Sequence, residues 1–150
     1  MQIKQRARST AAKVERKDTI LVASEMLLRQ LGYNEITMQA VADEVGLAKG
    51  TLYLYFPSRE LLILEVRGRL FDRWIDRFAS HVYEVNGVEE FCRDFCHYYA
   101  DDPLYLQLTE VPVSLMESQF DRDAYIKSKR AMASRVKRLA GAAYQRLGMS

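Results

Sequence analysis

TMQAVADEVGLAKGTLYLYFPSRE, residues 37–60, is the stretch on which the fold turns. Thr37 is a natural N-cap for a short helix, because its hydroxyl can accept from an amide of the first turn. Counting Met38 as the first position, Ala42 stands fifth, where two crossing helices approach closely and only a small side chain fits. Gly46 stands ninth, where a tight turn demands a backbone conformation that is costly for other residues. Val41, Val45, Leu47, Leu52 and Tyr55 take the positions that bury the inner faces of such a pair. After a further helix reaching Tyr55, Pro57-Ser58 stops the chain and restarts it, with Ser58 as N-cap and Glu60 placed well for the helix dipole. The spacing predicts a helix-turn-helix.

Upstream, a first helix is expected from Val14 to Leu31, with Ile20, Ala23, Leu27 and Leu31 on one face and Gly32 as its C-cap. Residues 1–17 hold Lys4, Arg6, Arg8, Lys13, Arg16 and Lys17 against the single acid Glu15. Residues 61–150 balance, with 13 basic and 13 acidic side chains. A basic arm ahead of a neutral body suits a phosphate-facing end, although a solvated N-terminus has the same composition.

Downstream, helical periodicity continues. A long helix is expected over 59–83, with Phe71, Trp74, Ile75, Phe78 and Val82 along one stripe. Asn86-Gly87 marks a turn before a helix over 88–100, which ends at Asp101-Asp102-Pro103. The next helix is expected over 104–118, kinked or split at Pro112. The last spans Arg122 to Leu147, with Met132, Val136, Leu139, Ala140, Ala143 and Leu147 on one face. The expected fold class is therefore all-α: a three-helix DNA-binding part over 1–60, joined by the long helix to a helical body over 61–150.

Composition agrees: of 150 residues, 49% are hydrophobic and 28% charged, with few glycines and prolines, as in an ordinary helical domain. A net charge of +2 is too small to argue for nucleic acid by itself. No apolar run reaches the length of a membrane span and no signal-peptide pattern follows the basic start, so a cytoplasmic protein with no membrane partner is expected. Cys92 and Cys96 are then expected to be small buried hydrophobes rather than a disulfide.

The segment Gly50-Thr51-Leu52-Tyr53-x-Tyr55-Phe56, followed by Ser58-Arg59-Glu60, resembles the signature of the tetracycline-repressor (TetR) family, and the resemblance is strong over residues 18–66. It implies an all-helical homodimer that binds a palindromic operator and releases it when a small molecule enters the body. The alternative is a ligand-independent DNA-binding module controlled by a protein partner. Family chains are typically longer, and their last two helices form the dimer interface. The present sequence ends at Ser150, so the body is expected to be incomplete.

A recognition helix in the major groove presents its N-terminal half to base edges. Lys49 can donate to guanine or phosphate, and Gly50 lets the backbone approach closely. Thr51 and Tyr53 can make polar contacts, Leu54 can touch a thymine methyl, and Gln39 can reach a base or phosphate. Thr37, Tyr55 and Arg59 resemble the family's phosphate clamps. Ala48 departs from the pattern, since the family often has Ser or Thr there to cap the recognition helix.

The resemblance also implies an inducer pocket in the aromatic-rich body, for which Phe95, Tyr98, Tyr99, Tyr105 and Met116 are the candidates. The same residues would equally serve as the core of a helical bundle. No metal or other cofactor is expected: Cys92, Cys96 and His97 offer three donors where a structural zinc takes four, and His97 points away from Cys96 on a helix. No nucleophile-base order, phosphate loop or paired-carboxylate motif stands out. Glu89-Glu90 and Asp101-Asp102 read as helix-end charges, so an enzyme is not expected.

Overall fold

The computed structural model describes residues 2–111 and 122–148, with side chains described at 11–111, 126 and 129–148. Among these residues the only regular structure is helix: α1 (Gln2–Leu31), α2 (Met38–Glu44), α3 (Lys49–Tyr53), α4 (Arg59–His81), α5 (Val88–Ala100), α6 (Pro103–Glu110) and α7 (Arg122–Leu147). The fold is all-α. It divides into two compact units, Met1–Val66 and Arg67–Ser150, with the division inside α4.

In the first unit, α1 starts well before Val14, because residues 2–13 contain no Gly or Pro and are rich in Ala, Arg and Lys, which favour helix. It ends at Gly32, whose φ of 80° is the left-handed cap conformation. Ile20, Leu21, Ser24, Leu27 and Leu28 form its buried face. The Ser24 hydroxyl is accommodated there by donating to the Ile20 carbonyl at 2.7 Å. Leu31, expected on that face, is 45% exposed, since nothing covers the last turn. Ile36, Met38, Val41, Ala42, Leu52, Phe56, Leu62, Ile63 and Val66 complete the core. Lys17 spans from the Phe56 ring, 5.2 Å from its centroid, to Glu65 at 2.6 Å.

In the second unit α4 has two buried sides. Phe71, Trp74 and Phe78 meet aromatic rings of α5 and α6, whereas Ile75 lies with Leu139 of α7 along an open groove. Arg135 of α7 pairs with Asp72 at 3.1 Å and Asp76 at 3.0 Å on α4. Partial burial raises the Asp72 carboxyl above its ordinary value, and Arg135 opposes the shift. On α7 only Leu139 and Ala143 of the expected face are fully buried, and Val136 is 46% exposed. The α6 helix is shorter than expected. It ends at Glu110 and Val111 is extended (φ −66°, ψ 119°), because a residue before proline is pushed out of helical conformation. The expected kink at Pro112 lies outside the described residues.

His81, at the end of α4, bridges to α5. Its Nε2 lies 2.7 Å from Asp94 Oδ2 and its Nδ1 3.2 Å from Glu84 Oε2, with the ring stacked on Tyr98. The hydrogen bond to Asp94 raises the imidazole above its ordinary 6.5, against a partial desolvation penalty, with Glu84 adding to the rise. The same bond holds Asp94 below its ordinary 3.8. Arg93, 3.0 Å from Asp94, also lowers that carboxyl, and Arg77 lies over the Tyr98 ring. A raised imidazole stabilises the folded state fully below its unfolded value and loses that contribution as pH rises through the folded one. Asp94 works in the opposite sense, its contribution lost only as pH falls through its lowered value. The melting temperature is therefore expected to fall between about pH 6 and about pH 9, and His81→Gln to flatten that fall. An equal fall in the variant would show that other groups cause it.

Candidate nucleic-acid interface

The α2–turn–α3 segment is built as its spacing requires. Thr37 accepts from the Ala40 amide at 3.1 Å and caps α2. Gly46 has φ 64°, the left-handed conformation that closes the turn, and Leu47 N then donates to the Ala42 carbonyl at 2.8 Å. Val41, Ala42 and Leu52 are completely buried, so the two helices are locked through a face that excludes water. Ala48 precedes α3 without a side-chain cap bond.

The opposite side faces solvent. Gln39, Lys49, Gly50, Tyr53 and Leu54 are exposed, Leu54 at 78%, while Thr51 and Tyr55 are half-buried. Exposing a leucine to that extent has no packing purpose within the chain. Nor does anything inside the chain require glycine at position 50, since an added Cβ there would meet nothing within 4 Å. No acidic residue occurs between Glu44 and Glu60. In this state Gln39 donates to Asp43 along α2 at 2.7 Å.

Arg59 stands apart from this surface in its bonding. Its Nε donates to the Ile36 carbonyl at 2.8 Å and its Nη2 to the Tyr33 carbonyl. The guanidinium also lies 4.6 Å from the Tyr33 ring centroid. Sequence reasoning missed these partners, because a backbone carbonyl exists at every position and leaves no signature in the sequence.

In the second unit the candidate ligand residues Phe95, Tyr98, Tyr99 and Tyr105 do come together. Trp74 is their centre, with Phe95 and Tyr99 edge-on at 5.4 and 5.5 Å and Tyr105 stacked at 6.4 Å. Tyr98 meets Phe78 at 5.5 Å. Met116 lies outside the described residues. Burial pushes the Tyr105 hydroxyl up to about 12, with Tyr99 contributing and Arg67 opposing. Among the described residues Trp74 Nε1 is the buried side-chain polar atom without a hydrogen-bond partner. An open groove of about 470 Å³ lies elsewhere in this unit, lined by Ile75, Asp76, Ala79, Ser80, Tyr83, Arg135, Arg138, Leu139 and Ala142.

Cys92 and Cys96 are exposed, not buried as expected, because α5 turns Phe91, Phe95, Tyr98 and Tyr99 inward and leaves the cysteines on its outer side. Among the described residues no group of three or more His, Cys, Asp or Glu is placed to hold a metal ion. Nor is any helix there long and apolar enough to cross a membrane. Glu90 accepts from the Asn86 amide at 2.7 Å, and Asp102 caps α6 by accepting from Leu104 N at 3.1 Å.

Comparison with known proteins bears on both units. The family model for bacterial regulatory proteins of the tetR family matches residues 20–66. A model for the tetracyclin repressor-like C-terminal domain matches residues 68–150. The chain is 44% identical over 62 residues to the HTH-type transcriptional repressor KstR of Mycobacterium tuberculosis, covering 41% of this chain and 28% of KstR. It is 32% identical over 91 residues to the HTH-type transcriptional regulator RutR of Escherichia coli K12, covering 59% of this chain and 42% of RutR. The matches thus span less than half the length of these curated relatives. A crystal structure of a candidate transcriptional regulator from Streptomyces coelicolor A3(2) has a TM-score of 0.62 to this chain at 22% identity, covering 88% of this chain and 77% of that one. At that identity the likeness bears on the fold alone.

Proposed function

Because the chain belongs to the TetR family of bacterial regulatory proteins, we propose that it is a DNA-binding repressor of transcription that occupies a palindromic operator as a homodimer and lets go when a small molecule binds its second unit. The observation that carries the DNA half is the two-sidedness of α2 and α3. One face is sealed through Val41, Ala42 and Leu52, and the other presents Lys49, Gly50, Tyr53 and Leu54 to solvent. Lys49, Thr51 and Tyr53 read base edges in the major groove, Leu54 meets a thymine methyl, and Gly50 admits the backbone to close range. Gln39, with Thr37 and Tyr55 beside it, serves the flanking bases and phosphates. One such helix covers too few base pairs for tight specific binding, so two copies engage half-sites about 34 Å apart.

The effector half is supported by the ring cluster around Trp74, where Phe95, Tyr98, Tyr99 and Tyr105 offer apolar walls with hydroxyls at their edges. A ligand that alters the spacing of the two recognition helices shifts the population away from the bound state.

Selection of bound duplexes from a random pool tests the reading. An enriched palindrome is the expected result, and Lys49→Ala should change the preference at one base per half-site by roughly tenfold. Salt-sensitive binding with no preferred sequence would sink the operator. For the effector, a metabolite that releases the DNA should also change the emission of Trp74, the one tryptophan in the chain. Release with unchanged emission would place the ligand elsewhere.

A further inference from the structure

Arg59 is the first residue of α4, yet its side chain reaches back to the segment that leads into α2. Its Nε and Nη2 donate to the carbonyls of Ile36 and Tyr33, its Nη1 lies 3.6 Å from Glu60 Oε1, and its plane covers the Tyr33 ring. We propose that Arg59 is a positioning residue for the DNA-reading helices: it ties the start of α4 to residues 33–36 and so fixes Thr37 and Gln39, rather than gripping a phosphate itself. This rests on the reading of α2 and α3 as the DNA-binding unit.

Three features support it. The chain reverses at Gly32 with φ 80° and enters α2 at Thr37, so residues 33–36 form a short link with no helix of their own. Its backbone bond, Ile36 N to the Gly32 carbonyl, is long at 3.3 Å, and Arg59 supplies two more attachments. Second, a planar fork meets two carbonyls at once, which a lysine ammonium, a point charge on a flexible stem, does not reproduce. Third, the Glu60 carboxylate beside Nη1 offsets the positive charge that a phosphate would need. The half-buried guanidinium, with 24% of its side chain exposed, has its strongest donors turned inward.

The test uses the full chain as wild type, Arg59→Lys and Arg59→Ala, binding a duplex of the selected sequence well below each variant's melting temperature, over a series of salt concentrations. Both variants are expected to lose about tenfold or more in affinity. The slope of log affinity against log salt should stay at the wild-type value, because no phosphate contact is lost. Amide exchange should accelerate over residues 34–40. A lysine variant that binds like wild type overturns the proposal, as does an alanine variant whose salt slope drops by about one contact. Folded variants with unchanged affinity and only a lower melting temperature also overturn it, by reducing Arg59 to a stabilising residue. Wild type that binds no duplex at all sinks the DNA reading itself and this inference with it, and is told apart because the variants are then never reached.

Discussion

Phe78→Ala is expected to remove about 3–5 kcal/mol from the stability of the second unit, the range for deleting a buried phenyl ring. Phe78 has no exposed surface and touches rings on every side. Phe91 lies at 5.3 Å, Phe95 at 5.4 Å and Tyr98 at 5.5 Å on α5, with Trp74 stacked at 6.5 Å on its own helix. The α5 helix has no fully buried residue of its own, so its attachment depends on these half-buried aromatics finding a partner on α4. Alanine at 78 leaves a cavity that rigid rings close poorly. Denaturant unfolding followed by Trp74 emission reads the loss directly. A change below about 1 kcal/mol would mean that the rings re-pack around the gap, and that the cluster is far more plastic than its geometry indicates.

The second large effect separates two leucines only one residue apart. Leu52 is completely buried under α2, whereas Leu54 is 78% exposed. Leu52→Ala is expected to cost about 2–5 kcal/mol and to abolish DNA binding, because α3 has only five residues and little holds it beyond that anchor. Leu54→Ala should change stability by less than about 0.5 kcal/mol while altering sequence preference in the selection. Thermal melts and binding curves on the two variants decide the matter. If Leu54→Ala binds every selected duplex as wild type does, that side chain has no part in recognition.

These two residues also show how far the sequence reaches. Both lie in the one motif that spacing made readable, and the burial of Leu52 follows from its place relative to Gly46. The need for glycine at 46 was equally legible, since a left-handed turn conformation restricts the residue type and so leaves a trace in the sequence. The stripe Phe71, Trp74, Ile75, Phe78 and Val82 was legible through its helical period, and all five residues are buried. What the stripe did not carry was its division. Only the packing of α5, α6 and α7 sends Trp74 and Phe78 to the aromatic side and Ile75 to the side lined by Leu139.

The TMQAVADEVGLAKGTLYLYFPSRE stretch by itself determined the two short helices, the turn between them and the set of outward side chains, because each rests on local geometry: a cap, a glycine, an alternation of small and apolar residues. Only the tertiary structure decided where Arg59 points, that Trp74 is the hub of the body's rings, and that Cys92 and Cys96 lie on the outer side of α5. The reason is common to all three. Periodicity says which residues share a face of a helix, but the element that covers that face, and the backbone carbonyl that a side chain finds, come from segments distant in sequence. Those partners exist only once the helices have packed.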